Sequence, residues 1–334
     1  MTYVANKERY VKMSYQKCGN SGIKLPMVSL GLWHNFGSNA SYDSMKELCT
    51  TAFDQGITHF DLANNYGPIA GSAETNIGRI LKNEMHAYRD ELLISTKAGY
   101  DMWEGPYGNF GSRKHLLSSL DQSLKRLDLD YVDIFYHHRM DPETPLEESM
   151  MALDQAVKSG KALYAGISNY DKEHTIAAMK ILKELRCPFI INQRRYSIFD
   201  RSMEEDGLKS YAAKHGCGII AFSPLAQGML TDKYLHGIPS DSRIAKDGRF
   251  LKENNLTPER IKEIEGLNAI AKGRGQTLAQ MALSWVLRDG EVTSVLIGAS
   301  KPTQIIENLE IIDKISFTKE ELKQIDSYSI EMSV

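Results

Sequence analysis

The feature of the sequence that constrains the fold most is a regular alternation of short apolar, β-rich runs with longer helical patterns. Eight β-rich runs follow one another, at 28–32, 57–62, 92–98, 131–138, 162–168, 189–193, 218–223 and 294–300. Many of these runs are apolar at both odd and even positions, as parallel strands buried on both faces are. The alternation therefore predicts an α/β protein with a parallel sheet.

The segments between the runs have the apolar period of amphipathic helices. Helices are predicted at 43–55, 72–83, 113–127, 146–159, 171–186, 202–215, 258–288 and 302–313. Eight successive β-then-α units without a break in composition match the number and order of elements in a (β/α)8 TIM barrel. We therefore expect one domain over residues 1–334.

Three segments lie outside this repeat. Residues 15–26 read as a β-hairpin that turns at Gly19-Asn20-Ser21-Gly22 and closes the bottom of the barrel. A further helix at 318–327 begins with the capping box of Thr318 and Glu321. The segment 226–257 is too long for a routine connection, and loops of that length are often functional lids.

The main competing fold is a doubly wound sheet with a nucleotide-binding loop. No G-x-G-x-x-G follows the first strand, and the sequence contains no G-x-x-x-x-G-K-[ST]. The nearest imitation, "GPYGNFG" at 105–111, has the wrong spacing. The barrel is therefore the favoured architecture.

Composition excludes several classes of partner. The 334 residues are 42% hydrophobic and 25% charged, as in ordinary globular domains, and the formal charge of -3 gives no case for nucleic acid or anionic membranes. The sequence has no run of 18 apolar residues, and its first residues are of mixed polarity without an apolar core, so no secretory signal is expected there. Its four cysteines are far apart without a C-x-x-C pair, so we expect a cytoplasmic protein.

Polar side chains collect where the predicted strands end, which is where a barrel of this type places its active site. Lys97 emerges from an apolar strand and needs a carboxylate, which Asp61 on the adjacent strand supplies. The ammonium is then expected to lower the pKa of Tyr66 and make it a proton donor. His138, at the end of the next strand, is expected to orient a substrate oxygen.

These four residues suit a reaction that protonates an oxygen while another agent attacks carbon. No nucleophile elbow or glycosidase carboxylate pair is present, and no metal site is predicted, because the region after the first strand, "LWHNFG", has one histidine. A hydride from a bound nicotinamide would fit. A Schiff-base aldolase using Lys97 is a third possibility, although Asp61 argues for a protonated lysine.

Six motifs fall at the predicted strand ends, namely "GITHFDLANNYG" (56–67), "ISTKAGY" (94–100), "YVDIFYHHR" (131–139), "GISNY" (166–170), "FSPLAQGMLTDKY" (222–234) and "LIGASKPTQIIENL" (296–309). With these motifs the chain resembles the aldo-keto reductase superfamily along nearly its whole length. The resemblance implies a (β/α)8 barrel that binds NADP(H) and reduces aldehydes or ketones by hydride transfer. It also implies that Tyr66 is the proton donor, that Asp61 and Lys97 tune it and that His138 orients the carbonyl.

Further site residues are implied by the same resemblance. Those expected to bind the cofactor are Trp33, Asp61, Ser168, Asn169, Gln193, Phe222, Ser223, Pro224, Leu225, Gly228, Lys233, Arg243, Gly298, Ser300, Gln304, Glu307 and Asn308. Lys301 is a plausible neighbour of a 2'-phosphate. The substrate pocket is expected to involve Trp33, His34, Tyr66, Trp103 and His138.

Within the superfamily, the chain is most similar to bacterial reductases of glyceraldehyde 3-phosphate and to potassium-channel β-subunits. The first implies small carbonyl substrates such as glyceraldehyde 3-phosphate or methylglyoxal, and the second implies an NADP(H)-binding regulatory or sensor subunit with little turnover. The channel subunits usually carry Asn where this chain has His138, which favours the enzyme. Both branches suggest a homo-oligomer, a tetramer or larger. Arg139 could meet a substrate phosphate or make a structural ion pair, and Arg194-Arg195 is unassigned.

Overall fold

Eight parallel strands close into a barrel in the computed structural model, which describes residues 3–235, 237–238 and 253–329. In chain order they are β3 (Val28–Gly31), β4 (His59–Asp61), β5 (Leu93–Ala98), β6 (Val132–His137), β7 (Ala162–Ser168), β8 (Phe189–Arg195), β9 (Gly218–Phe222) and β10 (Ser294–Ile297). Each strand pairs with the next along the chain, and β10 closes the ring by pairing with β3. The (β/α)8 barrel predicted from the alternation is confirmed.

The predicted hairpin is formed by β1 (Tyr15–Lys17) and β2 (Lys24–Pro26), which pair antiparallel. Its turn residue Cys18 is fully buried, and the thiol lies 3.5 Å from the carbonyl oxygen of Ile190 near the start of β8. A Cβ at Gly218, the first residue of β9, would lie only 2.6 Å from the Cys18 sulfur, so a side chain does not fit there. The hairpin therefore covers the strand starts and closes the bottom of the barrel, as expected.

Helices return the chain from each strand end toward the next strand start. Their bounds are Tyr42–Asp54, Ser72–Ile80, Arg113–Leu127, Leu146–Lys158, Lys172–Glu184, Ser202–Glu205, Leu208–His215, Pro258–Gly273, Leu278–Leu287, Pro302–Leu309 and Lys319–Asp326. Ser41, Ser112 and Asp171 cap three of them by accepting a bond from a backbone N–H of the first turn. The capping box of Thr318 and Glu321 forms as predicted.

Predicted boundaries are wrong at several elements, among them two helices, the last strand and β8, which runs two residues past its predicted end. The single helix at 258–288 is two helices, because the first ends at Gly273 and the second starts with a new capping box at Thr277. The helix at 202–215 is interrupted at Gly207, whose φ of 72° is left-handed. The last strand ends at Ile297, since the chain turns there toward the helix that starts at Pro302. Apolar periodicity over a long window does not resolve breaks of this length.

The long segment 226–257 is described only in part. Its described residues include short 3-10 turns at Ala226–Gly228, Asp232–Tyr234 and Glu253–Asn255. Arg243, which was expected to bind the cofactor, lies outside the described residues. The assignment of residues 1–334 to one domain stays a prediction.

The barrel interior is divided between apolar and polar side chains. Near the hairpin it is filled by an apolar cluster that includes Leu25, Ile134, Ile191 and Ile220. Further along the strands, inward positions are occupied by buried polar side chains, namely Ser29, His59, Asp61, Ser95 and Lys97. A polar interior is costly unless its groups bond to one another, so these residues must form a connected set.

Candidate active site

Asp61 and Lys97 form a buried ion pair inside the barrel. Asp61 is the last residue of β4 and pairs with Ser95 on β5, so Lys97 lies one inward position further along the neighbouring strand. Lys97 Nζ lies 2.5 Å from Asp61 Oδ2, and both side chains are almost fully buried. It also donates to the carbonyl oxygen of Leu62 at 2.6 Å and to the hydroxyl oxygen of Tyr66 at 3.3 Å. These three bonds use all three N–H groups of an ammonium.

Tyr66 is held over this pair by the turn that follows β4. Its backbone N–H donates to the carbonyl oxygen of Ala63, and the Lys97 ammonium lies 4.9 Å from the centre of its ring. Because Lys97 donates to the phenol oxygen, the proton of the phenol is not used by this contact. The hydroxyl of Tyr66 is therefore able to donate its proton elsewhere.

The expectation of a lowered pKa for Tyr66 is wrong for this arrangement. Burial raises the pKa of Tyr66 well above its ordinary value, and the nearby Asp61 carboxylate and Tyr100 raise it further. The charge of Lys97 is matched by Asp61 at 2.5 Å, so desolvation of the phenolate prevails. Burial also lowers the pKa of Lys97, although Asp61 opposes that shift. Tyr66 is thus held in its protonated form at neutral pH.

His138 lies on the other side of Tyr66, directly after β6. Its backbone N–H donates to the carbonyl oxygen of Ala98 at 2.8 Å, which fixes its position. The centre of its ring is 6.0 Å from that of Tyr66 and 4.6 Å from that of Tyr100, edge to face in both cases. Burial lowers the pKa of His138 well below its ordinary value, and the positive charge of Lys97 adds to this. The imidazole is therefore neutral and has one N–H to donate.

The ends of β7 and β8 bring three more expected residues to the same place. Ser168 Oγ donates to the carbonyl oxygen of Gln193 at 2.9 Å, and Gln193 Nε2 donates to Asp61 Oδ1 at 3.1 Å. Asn169 Nδ2 donates to the carbonyl oxygen of His138 at 3.0 Å. The two carboxamides are thus bonded directly to Asp61 and to His138, and the Ser168 hydroxyl is linked to them through Gln193.

The turn after β9 has an unusual backbone. Ser223, Ala226 and Gln227 all have positive φ, at 53°, 46° and 62°, and Gly228 follows at 100°. Non-glycine residues adopt this conformation rarely, and such residues cluster at binding sites. The side chain of Gln227 donates to Ser223 Oγ at 2.9 Å and braces the turn. The turn and its flanks include the expected cofactor residues Phe222, Ser223, Pro224, Leu225 and Gly228.

The end of β10 and the helix Pro302–Leu309 contain the remaining expected cofactor residues. Ser300 donates its backbone N–H and its hydroxyl to Gln304 Oε1, at 2.8 and 3.2 Å. Among the described residues, no side chain caps the N-terminus of this helix. A Cβ on Gly298 would meet no atom within 4 Å, so the backbone there borders open space. Further along the helix, Glu307 is exposed and Asn308 is buried; in the preceding loop, Lys233 is exposed.

The aromatic residues expected in the substrate pocket divide into two groups. The ring of Trp33 is centred 6.0 Å from that of Tyr66 and 3.9 Å from that of His34, so Trp33 lies between Tyr66 and His34 in a row of ring contacts. The ring of Trp103 packs instead on His115, at 5.0 Å, within the segment that follows β5. Its part in a substrate pocket stays a prediction.

Arg139 holds the segment that follows β5. Its Nε donates to the carbonyl oxygen of Gly99 at 2.9 Å, and a terminal nitrogen donates to Asn109 Oδ1 at 2.6 Å. Its guanidinium lies between the rings of Tyr100 and Phe110, 4.3 Å from each centre. The structure thus gives Arg139 a packing role with neutral partners, rather than the structural ion pair considered from the sequence.

The doublet Arg194-Arg195 extends β8 beyond its predicted end. Arg195 pairs with Phe222 of β9, and its guanidinium lies 5.9 Å from the centre of that ring. Its side chain is exposed, and Nε is 3.9 Å from Asp200 Oδ2. Arg195 is therefore a cation at the barrel mouth, next to a residue expected to bind the cofactor.

Sequence reasoning missed three polar residues that lie below the site. His59, Ser95 and Ser29 are buried inside the barrel and bond to one another, and Ser95 bonds to Asp61. Strand parity could have found two of them, because His59 and Ser95 each lie two positions before an expected catalytic residue and so face the same way.

Residues 3–235, 237–238 and 253–329 contain neither a metal-binding cluster nor a membrane-spanning helix. Within these ranges there is no cluster of three or more His, Cys, Asp or Glu side chains suited to a metal ion. The helices of the same ranges include none that is long and apolar enough to cross a membrane.

Comparison with known proteins agrees with this geometry. The model of the Aldo/keto reductase family matches residues 27–330. The L-glyceraldehyde 3-phosphate reductase of Escherichia coli strain K12 is 54% identical over 331 residues, which cover 98% of this chain and 96% of that protein. A probable voltage-gated potassium channel subunit beta of Arabidopsis thaliana is 36% identical over 308 residues, covering 91% of this chain and 92% of that protein.

A solved structure is also similar over nearly the whole chain. The thermostable aldo-keto reductase Tm1743, solved with the inhibitor epalrestat, superposes with a TM-score of 0.73 at 31% identity and covers 95% of this chain and 100% of its own. Barrel, strand-end residues and sequence matches agree. The chain belongs to the aldo/keto reductase family, whose members generally use a nicotinamide cofactor, and it is an oxidoreductase that acts on a carbonyl or CH–OH group.

Proposed function

We propose that this protein is an NADPH-dependent reductase of small aldehydes and ketones, such as glyceraldehyde 3-phosphate or methylglyoxal, with Tyr66 as the general acid. One observation supports it above the others. Lys97 Nζ donates to the Tyr66 oxygen at 3.3 Å, which leaves the phenol proton for a substrate oxygen. The 54% identity to a glyceraldehyde 3-phosphate reductase supports the substrate class.

The residues present fit a nicotinamide dinucleotide. Ser168, Asn169 and Gln193 offer a hydroxyl and two carboxamides beside Asp61 and His138, which suits the carboxamide of a nicotinamide. The left-handed turn after β9 and the uncapped helix Pro302–Leu309 offer backbone N–H groups, which suit phosphates. When bound, the cofactor supplies the hydride that reduces the carbonyl carbon.

The preference for NADPH over NADH rests on cations near the expected adenosine end. Lys301 immediately precedes the uncapped helix Pro302–Leu309, and Lys233 lies in the turn after β9; both side chains are exposed. A 2'-phosphate adds negative charge, so cations near it favour NADPH. The expected contribution of Arg243 lies outside the described residues.

Four residues of the chain have separate roles in the proton transfer. Tyr66 donates its proton to the substrate oxygen, and the ammonium of Lys97 then stabilises the tyrosinate that remains. The neutral imidazole of His138 donates its N–H to the same oxygen and orients it. Asp61 keeps Lys97 in place. The burial of His138 and the partial burial of Tyr66 strengthen these interactions by reducing their contact with water.

The decisive experiment is a steady-state assay of the purified protein with NADPH and with NADH against glyceraldehyde 3-phosphate, glyceraldehyde and methylglyoxal. The Tyr66→Phe variant keeps the ring and removes the proton, so we expect kcat to fall by at least about 100-fold. Tyr211→Phe, on the outer helix Leu208–His215, is the matched control and should keep wild-type activity. Full activity in Tyr66→Phe would show that the assigned role is wrong.

The alternative is an NADP(H)-binding regulatory subunit, which the 36% identity to a potassium channel subunit beta favours. It predicts tight binding of NADP(H) in calorimetry together with negligible turnover over a broad panel of carbonyls. The aldolase hypothesis is weakened, because all three N–H groups of Lys97 are used and a Schiff base needs a free amine. A cytoplasmic location and assembly into a tetramer or larger homo-oligomer stay predictions.

A further inference from the structure

His59 is a fully buried histidine in the middle of the barrel. It lies two residues before Asp61 on β4, so both side chains point to the interior. Its Nδ1 is 2.9 Å from Ser29 Oγ on β3, and its Nε2 is 2.9 Å from Ser95 Oγ on β5. The imidazole thus spans three neighbouring strands, with both ring nitrogens bonded.

This histidine belongs to a continuous chain of hydrogen bonds that ends at Tyr66. Ser95 Oγ donates to Asp61 Oδ1 at 2.7 Å. Asp61 Oδ2 accepts from Lys97, which donates to the Tyr66 oxygen. On the other side of the imidazole, Ser29 Oγ is 2.7 Å from Ser294 Oγ on β10. The members of the chain in order are Ser294, Ser29, His59, Ser95, Asp61, Lys97 and Tyr66.

The direction of every bond on the histidine side follows from Asp61. A carboxylate only accepts, so the single proton of the Ser95 hydroxyl goes to Asp61. Ser95 must then accept from His59, which places the imidazole proton on Nε2 and leaves Nδ1 as an acceptor. Nδ1 therefore accepts from Ser29. The oxygen of Ser29 is left to accept from Ser294.

The surroundings of His59 are consistent with this neutral tautomer. The pKa of His59 is lowered to about 4, chiefly by burial; Asp61 opposes this shift and Lys97 adds to it. Ser294 also has a second acceptor, the carbonyl oxygen of Met27, but that oxygen is 3.4 Å away against 2.7 Å for Ser29. All donors on the histidine side of the chain thus point toward Asp61.

We propose that His59 is a positioning residue for the proton transfer, which as the neutral Nε2–H tautomer aligns Ser95 on Asp61 and so holds Lys97 against Tyr66. The proposal rests on the proposed role of Tyr66. No proton moves along this chain, and His59 acts only through Ser95 and Asp61. Misplacement of a catalytic group by about 1 Å costs up to about 100-fold in rate.

The first test compares two replacements of His59 in the NADPH-linked assay. His59→Leu has similar volume and removes both bonds, and we expect kcat to fall about tenfold while KM for aldehyde and cofactor stays unchanged. His59→Gln can donate to Ser95 and accept from Ser29, so it should recover most of the lost kcat. If His59→Gln is as slow as His59→Leu, or if His59→Leu keeps wild-type kcat, the proposal is overturned.

Two further variants test the positioning role independently of His59→Leu. Ser95→Ala removes the donor to Asp61 with a minimal change of volume, and it should lower kcat in the same way even if His59→Leu does not fold; unchanged kcat would overturn the proposal. Thr96→Val is the matched control, since Thr96 Oγ1 also donates to a buried carboxylate, that of Glu74. It should cost stability without changing kcat, and an equal fall of kcat in this control would contradict the positioning role.

A measurement independent of activity tests the tautomer. In protein labelled with 15N-histidine, the His59 signals, identified by their loss in His59→Gln, should report the Nε2–H form at neutral pH. An Nδ1–H form or an imidazolium would overturn the inference. Tyr66→Phe is assayed in parallel. If it stays active, the proposed function fails; if it is inactive while His59→Leu is unaffected, only the positioning role fails.

Discussion

The ammonium nitrogen of Lys97 lies 3.3 Å from the hydroxyl oxygen of Tyr66 and donates a hydrogen bond to it. The same nitrogen is 2.5 Å from Asp61, in a part of the barrel with almost no exposed surface. Lys97 is therefore bonded at once to a negative charge that neutralises it and to the phenol that we propose as the general acid. This double contact explains why the pair does not lower the pKa of Tyr66. In the proposed mechanism, the same ammonium stabilises the tyrosinate once the proton has left.

Replacement of Lys97 by Met should lower both the stability of the protein and its kcat, and a second substitution at Asp61 should restore only the stability. The change leaves the buried Asp61 carboxylate without its partner, which should cost about 3–5 kcal/mol in the free energy of unfolding. It should also lower kcat by at least about 100-fold, because the tyrosinate loses its cation. The double variant Asp61→Asn/Lys97→Met should recover stability in urea denaturation and stay inactive. Recovery of kcat in the double variant would contradict the role of Lys97.

The raised pKa of Tyr66 predicts how reduction depends on pH. A general acid works in its protonated form, so its rate contribution is lost only as pH rises through its pKa. Since burial holds that pKa well above its ordinary value, kcat for aldehyde reduction should stay level from about pH 6 to about pH 9. Stopped-flow or steady-state assays at saturating cofactor and aldehyde measure this. A fall in kcat with a midpoint near neutrality would be incompatible with a phenol whose pKa is raised.

Replacement of Arg139 should weaken substrate binding, although its guanidinium does not bind a substrate phosphate. Because its guanidinium is stacked between Tyr100 and Phe110 and bonded to Gly99 and Asn109, Arg139→Leu should loosen the segment after β5 and raise KM about tenfold with a smaller change of kcat. Arg139→Lys should not restore KM, since an ammonium cannot reproduce the planar stacking. The ratio of kcat/KM for glyceraldehyde 3-phosphate and glyceraldehyde should stay constant. A selective loss with the phosphorylated substrate would assign the guanidinium to phosphate binding.

The buried His59 should make the protein less stable in acid. Its pKa falls from an ordinary 6.5 to about 4 in the folded chain, so the unfolded chain binds more protons between these values. The stabilisation is complete above about pH 6.5 and is lost as pH falls toward about 4, a change of roughly 3 kcal/mol. Urea unfolding curves at pH 7 and pH 4.5 measure it. His59→Gln should show a shallower pH dependence, and equal slopes in both proteins would contradict the assignment.

Much of the fold and the site follows from local pattern. The β-then-α alternation predicted the barrel because parallel strands buried on both faces need apolar runs and crossover helices. Asp61, Tyr66, Lys97 and His138 could be placed at one end of the barrel because parallel strands all finish on the same side. Helix ends at Gly207 and Gly273 were missed, since a short break leaves the apolar period of the flanking helices unchanged.

The sequence alone therefore established the order of the strands and helices and the residues at their ends. It could do so because strand parity and helical period are local properties of the sequence. The fold added the properties that depend on distance between remote segments. The pKa of Tyr66 rises because desolvation and Asp61 outweigh a lysine that is already neutralised. His59 joins the site because β3, β4 and β5 bring Ser29 and Ser95 to its two nitrogens. Desolvation and bonding across strands exist only once the barrel has closed.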